Sequence, residues 1–133
     1  MKILPYSRQK IDNKDIKEVT KVLKSNFLTQ GNKVPEFEKK LVKKLKSKYA
    51  VASNSGTSAL HIACLSLNLK KDDLVWTSAN SFVASINCAK YLGTKVDFLD
   101  IDKDTYNISI NKLEKKLIKA KKSKKLPKLI IVV

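Results

Sequence analysis

The sequence predicts an α/β fold: a mostly parallel sheet with flanking helices. Short apolar runs of strand length, such as residues 74–78 and 129–133, alternate with longer segments in which apolar residues recur at helical spacing. Such runs, bounded by turns, are typical of strands that are buried on both faces of a parallel sheet. Successive strands of this kind connect through right-handed crossovers, and ligands collect beyond the strands' carboxyl ends.

Two helices are predicted ahead of this alternating region. Asp12 is a typical N-cap for a helix that ends near Lys24, and Val34-Pro35 begins the second helix. One face of each helix is apolar, with Ile16, Val19, Val22 and Leu23 in the first and Phe37, Leu41, Val42 and Leu45 in the second. Residues 26–33 form the connection. We therefore assign residues 1–48 to a helical lead-in and residues 49–133 to an α/β domain.

The predicted sites are arranged around a turn of small residues that follows residues 49–53, for which we expect a short strand. The turn opens into a helix, whose first turn has unpaired N–H groups and the positive end of the helix dipole. Gly56 lets a ligand approach the backbone, while Ser55, Thr57 and Ser58 add hydroxyl groups. The turn is a candidate phosphate site, although an ordinary N-capped helix uses the same residue types.

Strand and helix then alternate to the end of the chain. Strands are predicted over 74–78, 95–100 and 129–133, helices over 82–92 and 109–122, and a turn over 102–107. Gly93 follows a helix at the position where a left-handed residue is favoured. Because the last apolar strand needs a further crossover to cover its faces, we expect the fold to be incomplete.

Lysine dominates the composition. The chain has 28 basic and 12 acidic residues, a net charge of +16, and Arg8 is its only arginine. Because arginine is favoured for reading bases and for bidentate phosphate contacts, we expect solvated lysine-rich helix faces and no nucleic-acid partner. A basic module that binds a polyanion is the alternative from a different functional class.

The remaining composition indicates a reduced, cytoplasmic protein. Cys64 and Cys88 lie in apolar helical patterns, where we expect reduced core residues, and their spacing indicates no metal site. We expect His61 to be a packing or surface residue. The sequence has neither a signal-peptide pattern nor a long apolar span, so we expect no membrane partner.

Six short motifs follow one another along nearly the whole chain. They are Pro5-Tyr-Ser-Arg-Gln9, Leu28-Thr-Gln-Gly31, Asn54-Ser-Gly-Thr-Ser-Ala-Leu60, Ser81-Phe-Val-Ala-Ser-Ile-Asn87, Val96-Asp-Phe-Leu-Asp-Ile-Asp102 and Thr105-Tyr-Asn107. Their residues and order resemble the N-terminal part of the DegT/DnrJ/EryC1/StrS sugar aminotransferases. The resemblance implies the first part of a fold type I enzyme that uses pyridoxal 5'-phosphate (PLP), with residues 49–133 as the start of its large cofactor-binding domain.

PLP needs a phosphate anchor, a flat partner for its ring, an acid at the pyridine nitrogen and a lysine for covalent attachment. For the first two, the resemblance implies four cofactor-binding residues: Gly56, Thr57, Ser58 and Phe82. For the sugar nucleotide it implies three substrate-binding residues: Tyr6, Thr29 and Gln30. In the family the acid and the lysine lie downstream of Val133. We therefore predict no catalytic residue here and expect the chain to be inactive alone.

The resemblance also implies a reaction. It indicates transfer of an amino group from an amino acid, expected to be glutamate, to a 4-keto-UDP-sugar by a homodimeric enzyme. The family includes sugar 3-dehydratases, in which a histidine replaces the covalent lysine, and nothing in these residues separates the two activities. A truncated or vestigial product without catalysis is a further alternative.

Overall fold

The structure is a computed structural model that describes residues 4, 5 and 7–133. The chain forms two compact units, the first extending to Ala52 and the second comprising Ser53–Val133. The first unit contains α1 (Asn13–Leu23) and α2 (Lys33–Leu45), as predicted. None of the helices in the described part of the chain has both the length and the apolar character needed to cross a membrane.

Helix α1 begins at the predicted cap. The Asp12 carboxylate accepts hydrogen bonds from the N–H groups of Lys14 (2.7 Å) and Asp15 (3.2 Å). In return, the Asp15 carboxylate accepts from the Asp12 N–H at 2.9 Å, which completes a capping box. N–H groups that the helix cannot pair internally are thereby satisfied, which is why the helix starts at this residue.

An exposed ion-pair cluster links α1 to α2. Glu18 of α1 pairs with Lys21 and, at 2.8 Å, with Lys33 of α2. The hydrogen bond from Lys21, followed by that from Lys33, lowers the pKa of Glu18 to about 2. The carboxylate is solvent-exposed, so the cluster fixes geometry more than it stabilises the unit.

The apolar faces of both helices remain largely open within the first unit. Neither helix has a buried residue. Five apolar side chains are each more than half exposed: Ile16, Val19, Leu23, Phe37 and Leu45. The prediction of two amphipathic helices is confirmed, but their apolar faces pack little within the described part of this unit.

The second unit is a parallel sheet with helices on both faces. Its elements are α3 (Gly56–Ser66), β1 (Leu74–Ser78), α4 (Ala84–Lys90), β2 (Lys95–Leu99), α5 (Ile110–Lys122) and β3 (Leu129–Ile131). The strand order is β2-β1-β3, and Val75 of β1 lies opposite Val96 on one side and Leu129 on the other. The predicted parallel α/β fold is confirmed.

Successive residues of β1 enter two different cores, because side chains alternate across a strand. Val75 packs with Cys64 of α3 and Cys88 of α4 on one face of the sheet. Trp76 packs with Leu99 and with α5 residues on the other face. The central strand is therefore covered on both sides, as its consecutive apolar residues Leu74, Val75 and Trp76 predicted.

The strand predicted over residues 49–53 is wrong. Described residues in this segment have no strand structure, and the sheet contains β1, β2 and β3 alone. Val51 is 74% exposed, and the Ala52 N–H donates to the Glu38 carboxylate at 2.8 Å. An apolar run becomes a strand only where a neighbouring backbone pairs with it, and here a side chain takes the N–H.

The boundaries of α4 also differ from those expected. The helix covers Ala84–Lys90, so Phe82 lies in the loop before it rather than in its first turn. Gly93 has φ +72°, the left-handed conformation predicted for the residue that ends this segment. The shorter helix leaves Phe82 outside the regular packing of α4.

Leu99 lies in the core beneath α5 and is 1% exposed, so its truncation tests this core. We expect Leu99→Ala to lower the free energy of unfolding by about 2–5 kcal/mol, because truncation leaves a cavity. The control Val132→Ala, at a residue 63% exposed, should change it by less than about 0.5 kcal/mol. Urea unfolding followed by the fluorescence of buried Trp76, the only tryptophan, measures both values. Equal losses in the two variants would contradict this core assignment.

Candidate functional site

Three segments of the second unit lie at the carboxyl edge of the sheet. The loops after β1 and β2 begin there because the two strands are parallel. Helix α3 joins β1 through a short connection at the amino edge, so its first turn lies at the carboxyl edge as well. Ligands of parallel α/β sheets bind at this edge.

Ser55 caps α3 and leaves part of its first turn free. The Ser55 hydroxyl oxygen accepts a hydrogen bond from the Ser58 N–H at 3.1 Å, and the hydroxyl donates to Ser58 Oγ at 2.9 Å. Within the described residues, the N–H groups of Gly56 and Thr57 have no hydrogen-bond partner. Ser55 is therefore an N-cap, one of the two roles that the sequence allowed for it, and its hydroxyl is already engaged in the cap.

The surface beside Gly56 is open. A Cβ added to Gly56 meets no heavy atom within 4 Å, so the packing of the chain does not require glycine here. Helix α3 has no acidic residue in its first turn, and the positive end of its dipole is not neutralised. Thr57 and Ser58 are half-buried and Gly56 is exposed. This arrangement suits a small anion such as a phosphate group.

Phe82 presents an exposed aromatic ring at the same edge. It follows β1 and is 74% exposed. The loop around it is held by hydrogen bonds, since Ser81 Oγ and Ser85 Oγ lie 2.7 Å apart and the Ser85 N–H donates to the Phe82 carbonyl at 3.0 Å. An aromatic face left in water by an ordered loop is available for stacking on a planar group.

Two cysteines pack α3 against α4. They thereby join the helix that begins at Gly56 to the helix that follows the Phe82 loop. Cys64 is 1% exposed and Cys88 is fully buried, and both are free thiols, as expected. Burial, together with a hydrogen bond to the Cys88 side chain, raises the pKa of Cys64 to about 11. On the same helices, the His61 ring lies 5.3 Å from the Tyr91 ring, which confirms a packing role for His61.

Carboxylates of β2 and of the connection that follows it are engaged in local structure. Asp97 pairs with Lys116 at 2.7 Å, and this contact lowers the pKa of Asp97. Asp100 pairs with Lys112. Hydrogen bonds from the N–H groups of Thr105 and Asp104 lower the pKa of Asp102 and hold the predicted turn. These carboxylates stabilise the β2–α5 connection.

Residues predicted to bind the sugar nucleotide fall in the first unit. Gln30 has φ 56°, an uncommon left-handed conformation, and lines a cavity of about 540 Å³ with Phe27 and Gly31. A Cβ on Gly31 would lie 3.0 Å from the Phe27 carbonyl oxygen, so this tight loop favours glycine. Thr29 is exposed and does not line the cavity. Tyr6 lies outside the described residues.

The chain matches one known family along nearly its whole length. Residues 9–133 match the DegT/DnrJ/EryC1/StrS aminotransferase family. The chain belongs to this family. It is 44% identical over 117 residues to the UDP-4-amino-4,6-dideoxy-N-acetyl-β-L-altrosamine transaminase of Campylobacter jejuni. That match covers 88% of the chain and 31% of the relative, so the chain spans less than a third of that family member's length.

Solved structures of the family share the fold. The PLP form of a putative sugar aminotransferase from Streptococcus pneumoniae superposes with a TM-score of 0.78 at 29% identity, over 84% of this chain and 29% of that one. A variant of GDP-4-keto-6-deoxymannose-3-dehydratase with bound GDP-perosamine gives a TM-score of 0.79 at 31% identity, over 84% of this chain and 31% of that one. The chain therefore has the fold of the N-terminal part of these proteins.

The thiol pair gives a direct test of how α3 packs on α4. At pH 8 we expect neither Cys64 nor Cys88 to react with a thiol reagent in the native chain, because both are buried and the thiolate of Cys64 forms only near pH 11. In denaturant both should react within the dead time. The number of thiols that react with Ellman's reagent under the two conditions measures this difference. Rapid labelling of the native chain would mean that the two helices separate.

Proposed function

We propose that the chain is the N-terminal segment of a PLP-dependent nucleotide-sugar aminotransferase. The full enzyme transfers an amino group from an amino acid, glutamate in our proposal, to a 4-keto-UDP-sugar. The observation that carries the proposal is the first turn of α3, where two N–H groups have no partner among the described residues and where a Cβ on Gly56 would meet no heavy atom within 4 Å. Family membership and the PLP form of a family structure support the choice of cofactor.

In this proposal the chain supplies the phosphate anchor. The N–H groups of Gly56 and Thr57 donate to phosphate oxygens, and the hydroxyls of Thr57 and Ser58 add further donors. The positive end of the α3 dipole favours the dianion. Because the Ser55 cap already holds the Ser58 N–H, the turn is ordered before the phosphate arrives. Such order lowers the entropy cost of binding.

Phe82 is the proposed partner of the cofactor ring. Its exposed face at the carboxyl edge can stack on the pyridine ring and fix the ring's plane. When bound, PLP supplies an aldehyde and an electron-withdrawing ring for amino transfer. The proposed roles of the chain's own residues are to hold the phosphate, to orient the ring and to limit the access of water to one of its faces.

In the proposed enzyme, this segment and the rest of the fold supply different contacts to the cofactor and the substrate. Residues 49–133 begin the large cofactor-binding domain, and the remainder supplies the acid at the pyridine nitrogen and the covalent lysine. Tyr6, Thr29 and Gln30 are the proposed contacts of the segment with the nucleotide sugar. We also propose a homodimer, because the open apolar faces of α1 and α2 suit a further protein surface.

A sugar 3-dehydratase of the same fold is the second candidate. It is favoured by the TM-score of 0.79 with the GDP-4-keto-6-deoxymannose-3-dehydratase variant. Both candidates use the same phosphate anchor and ring partner. They differ at the residue that bonds the cofactor covalently, so that position in the full protein decides between lysine chemistry and histidine chemistry.

Gly56→Ala tests whether glycine is required for ligand binding or for stability of the fold. The added methyl group meets no protein atom within 4 Å, so the free energy of unfolding should change by less than about 1 kcal/mol. The same methyl group should hinder the close approach of a phosphate group to the backbone, and weakened charge-assisted hydrogen bonds should reduce phosphate affinity by roughly 10- to 100-fold. Calorimetric titration with pyridoxamine 5'-phosphate measures this, because that ligand has no aldehyde to react with surface lysines.

Two controls sharpen this experiment. Ser66→Ala, at the opposite end of α3, should leave the affinity unchanged. Pyridoxamine without its phosphate should bind the wild-type chain and Gly56→Ala equally weakly, since it has no group for the anchor. If Gly56→Ala bound pyridoxamine 5'-phosphate as tightly as the wild-type chain does, the anchor would lie elsewhere.

The division of work predicts that the chain alone does not turn over. Incubation with PLP, glutamate and a 4-keto-UDP-sugar should release no 2-oxoglutarate, because two of the four cofactor functions are assigned to the rest of the fold. A coupled assay with glutamate dehydrogenase detects the product, and the assay's response to added 2-oxoglutarate is the control. Measurable turnover would refute the assignment.

A further inference from the structure

The amino edge of the sheet, opposite the candidate cofactor site, collects lysines from separate parts of the sequence. Helices α3 and α5 both end there, and the connections to β1 and β3 cross it. Six exposed lysines of these connections and of the end of α5 define the basic edge: Lys70, Lys71, Lys121, Lys122, Lys124 and Lys125. None of the six forms an ion pair with any residue that the structure describes.

One further lysine joins the two halves of the basic edge. The Lys128 ammonium donates to the Asn68 carbonyl oxygen and to the Asp73 carboxylate, each at 2.8 Å. The other carboxylate at this edge, Asp72, is paired with Lys95 at 3.1 Å. Both local acidic groups are thus already paired, and the charge of the six lysines is not neutralised from within the described chain.

Interaction with the helix dipole explains the positions of only some of these six lysines. Lysine in the last turn of a helix interacts well with the negative end of its dipole, which accounts for Lys121 and Lys122. The other four, Lys70, Lys71, Lys124 and Lys125, lie beyond the last helical turns, where that interaction is weak. They add charge to a surface that is already positive, which costs free energy unless a negative partner is present.

Apolar side chains are interleaved with the lysines. Leu67 at the end of α3, Tyr91 at the end of α4 and Leu126 in the loop before β3 are 49%, 60% and 53% exposed. A membrane surface suits this mixture, because lysines contact anionic headgroups while tyrosine and leucine enter the interfacial layer. Nucleic-acid binding favours arginine, whereas Arg8 is the only arginine.

We propose that the basic edge binds the surface of an anionic lipid bilayer. The contact is peripheral and electrostatic, with Leu126 and Tyr91 as shallow anchors, and it leaves the carboxyl edge with Gly56 and Phe82 facing away from the lipid. This inference revises the expectation of purely solvated lysine faces and of no membrane partner. Tertiary structure places at one edge two groups of lysines, 70–71 and 121–125, that are at least 50 residues apart in the sequence.

The test is cosedimentation of the chain with phosphatidylcholine vesicles that contain about one third phosphatidylglycerol, at about 0.1 M salt. We expect binding to these vesicles and none to pure phosphatidylcholine. Replacing four lysines by glutamine, as Lys121→Gln, Lys122→Gln, Lys124→Gln and Lys125→Gln, should weaken binding on the order of 100-fold. Trp76 fluorescence confirms that the variant is folded.

A matched control removes the same charge from the first unit, as Lys39→Gln, Lys40→Gln, Lys43→Gln and Lys44→Gln in α2. It should weaken binding by less than about fivefold. Equal losses in the two variants would show that net charge alone drives binding and would overturn the proposal, as would no binding to anionic vesicles.

A third variant distinguishes lipid from nucleic acid. Leu126→Ser should weaken vesicle binding and leave binding of a single-stranded oligonucleotide unchanged, since only the bilayer accepts an apolar anchor. Tighter binding of the oligonucleotide than of the vesicles, lost on substitution of the same four lysines, would overturn the lipid assignment. None of these readouts depends on the cofactor, so the proposed enzymatic function stands or falls separately.

Discussion

The second unit depends on parallel pairing of β1 with a strand on each side. Val75 lies opposite Val96 and Leu129, and the Thr77 hydroxyl adds a hydrogen bond to the Ile131 carbonyl at 3.0 Å. Because β1 is central, its side chains are buried on both faces, and helices must cover each face. Parallel pairing also requires every connection to return to the amino edge. That requirement separates the two ends of the sheet and places the candidate cofactor residues at one of them.

The candidate cofactor site uses what a helix end leaves unsatisfied. The Ser55 hydroxyl oxygen accepts a hydrogen bond from the Ser58 N–H, and the Gly56 and Thr57 N–H groups have no partner among the described residues. A buried helix end would be costly in this state, but an exposed one is a ready anion site. Phe82 adds the flat apolar surface that a planar ring needs. Neither feature improves the packing of the described chain, and both agree with the proposed cofactor site.

Much of the fold and part of the site could be predicted from local sequence. The caps at Asp12 and Ser55 and the left-handed Gly93 follow from residue chemistry that acts within a few positions. The alternation of apolar runs with helical segments then implied the parallel sheet. Residues 49–53 were mispredicted because a strand requires a partner backbone, which an apolar pattern cannot report. The sequence allowed the Ser55 hydroxyl two uses, in the cap or as a donor to a ligand, and residue type alone does not reveal which hydrogen bond forms.

The sequence by itself determined the order of helices and strands, the helix caps and the family to which the chain belongs. These properties depend on neighbouring residues and on motifs that are continuous along the chain. Only the tertiary structure decided that Cys64 and Cys88 join α3 to α4, and that lysines of two distant connections form one basic edge. Such contacts join residues that are distant in sequence, and they exist only once the crossovers have returned each strand to the same sheet.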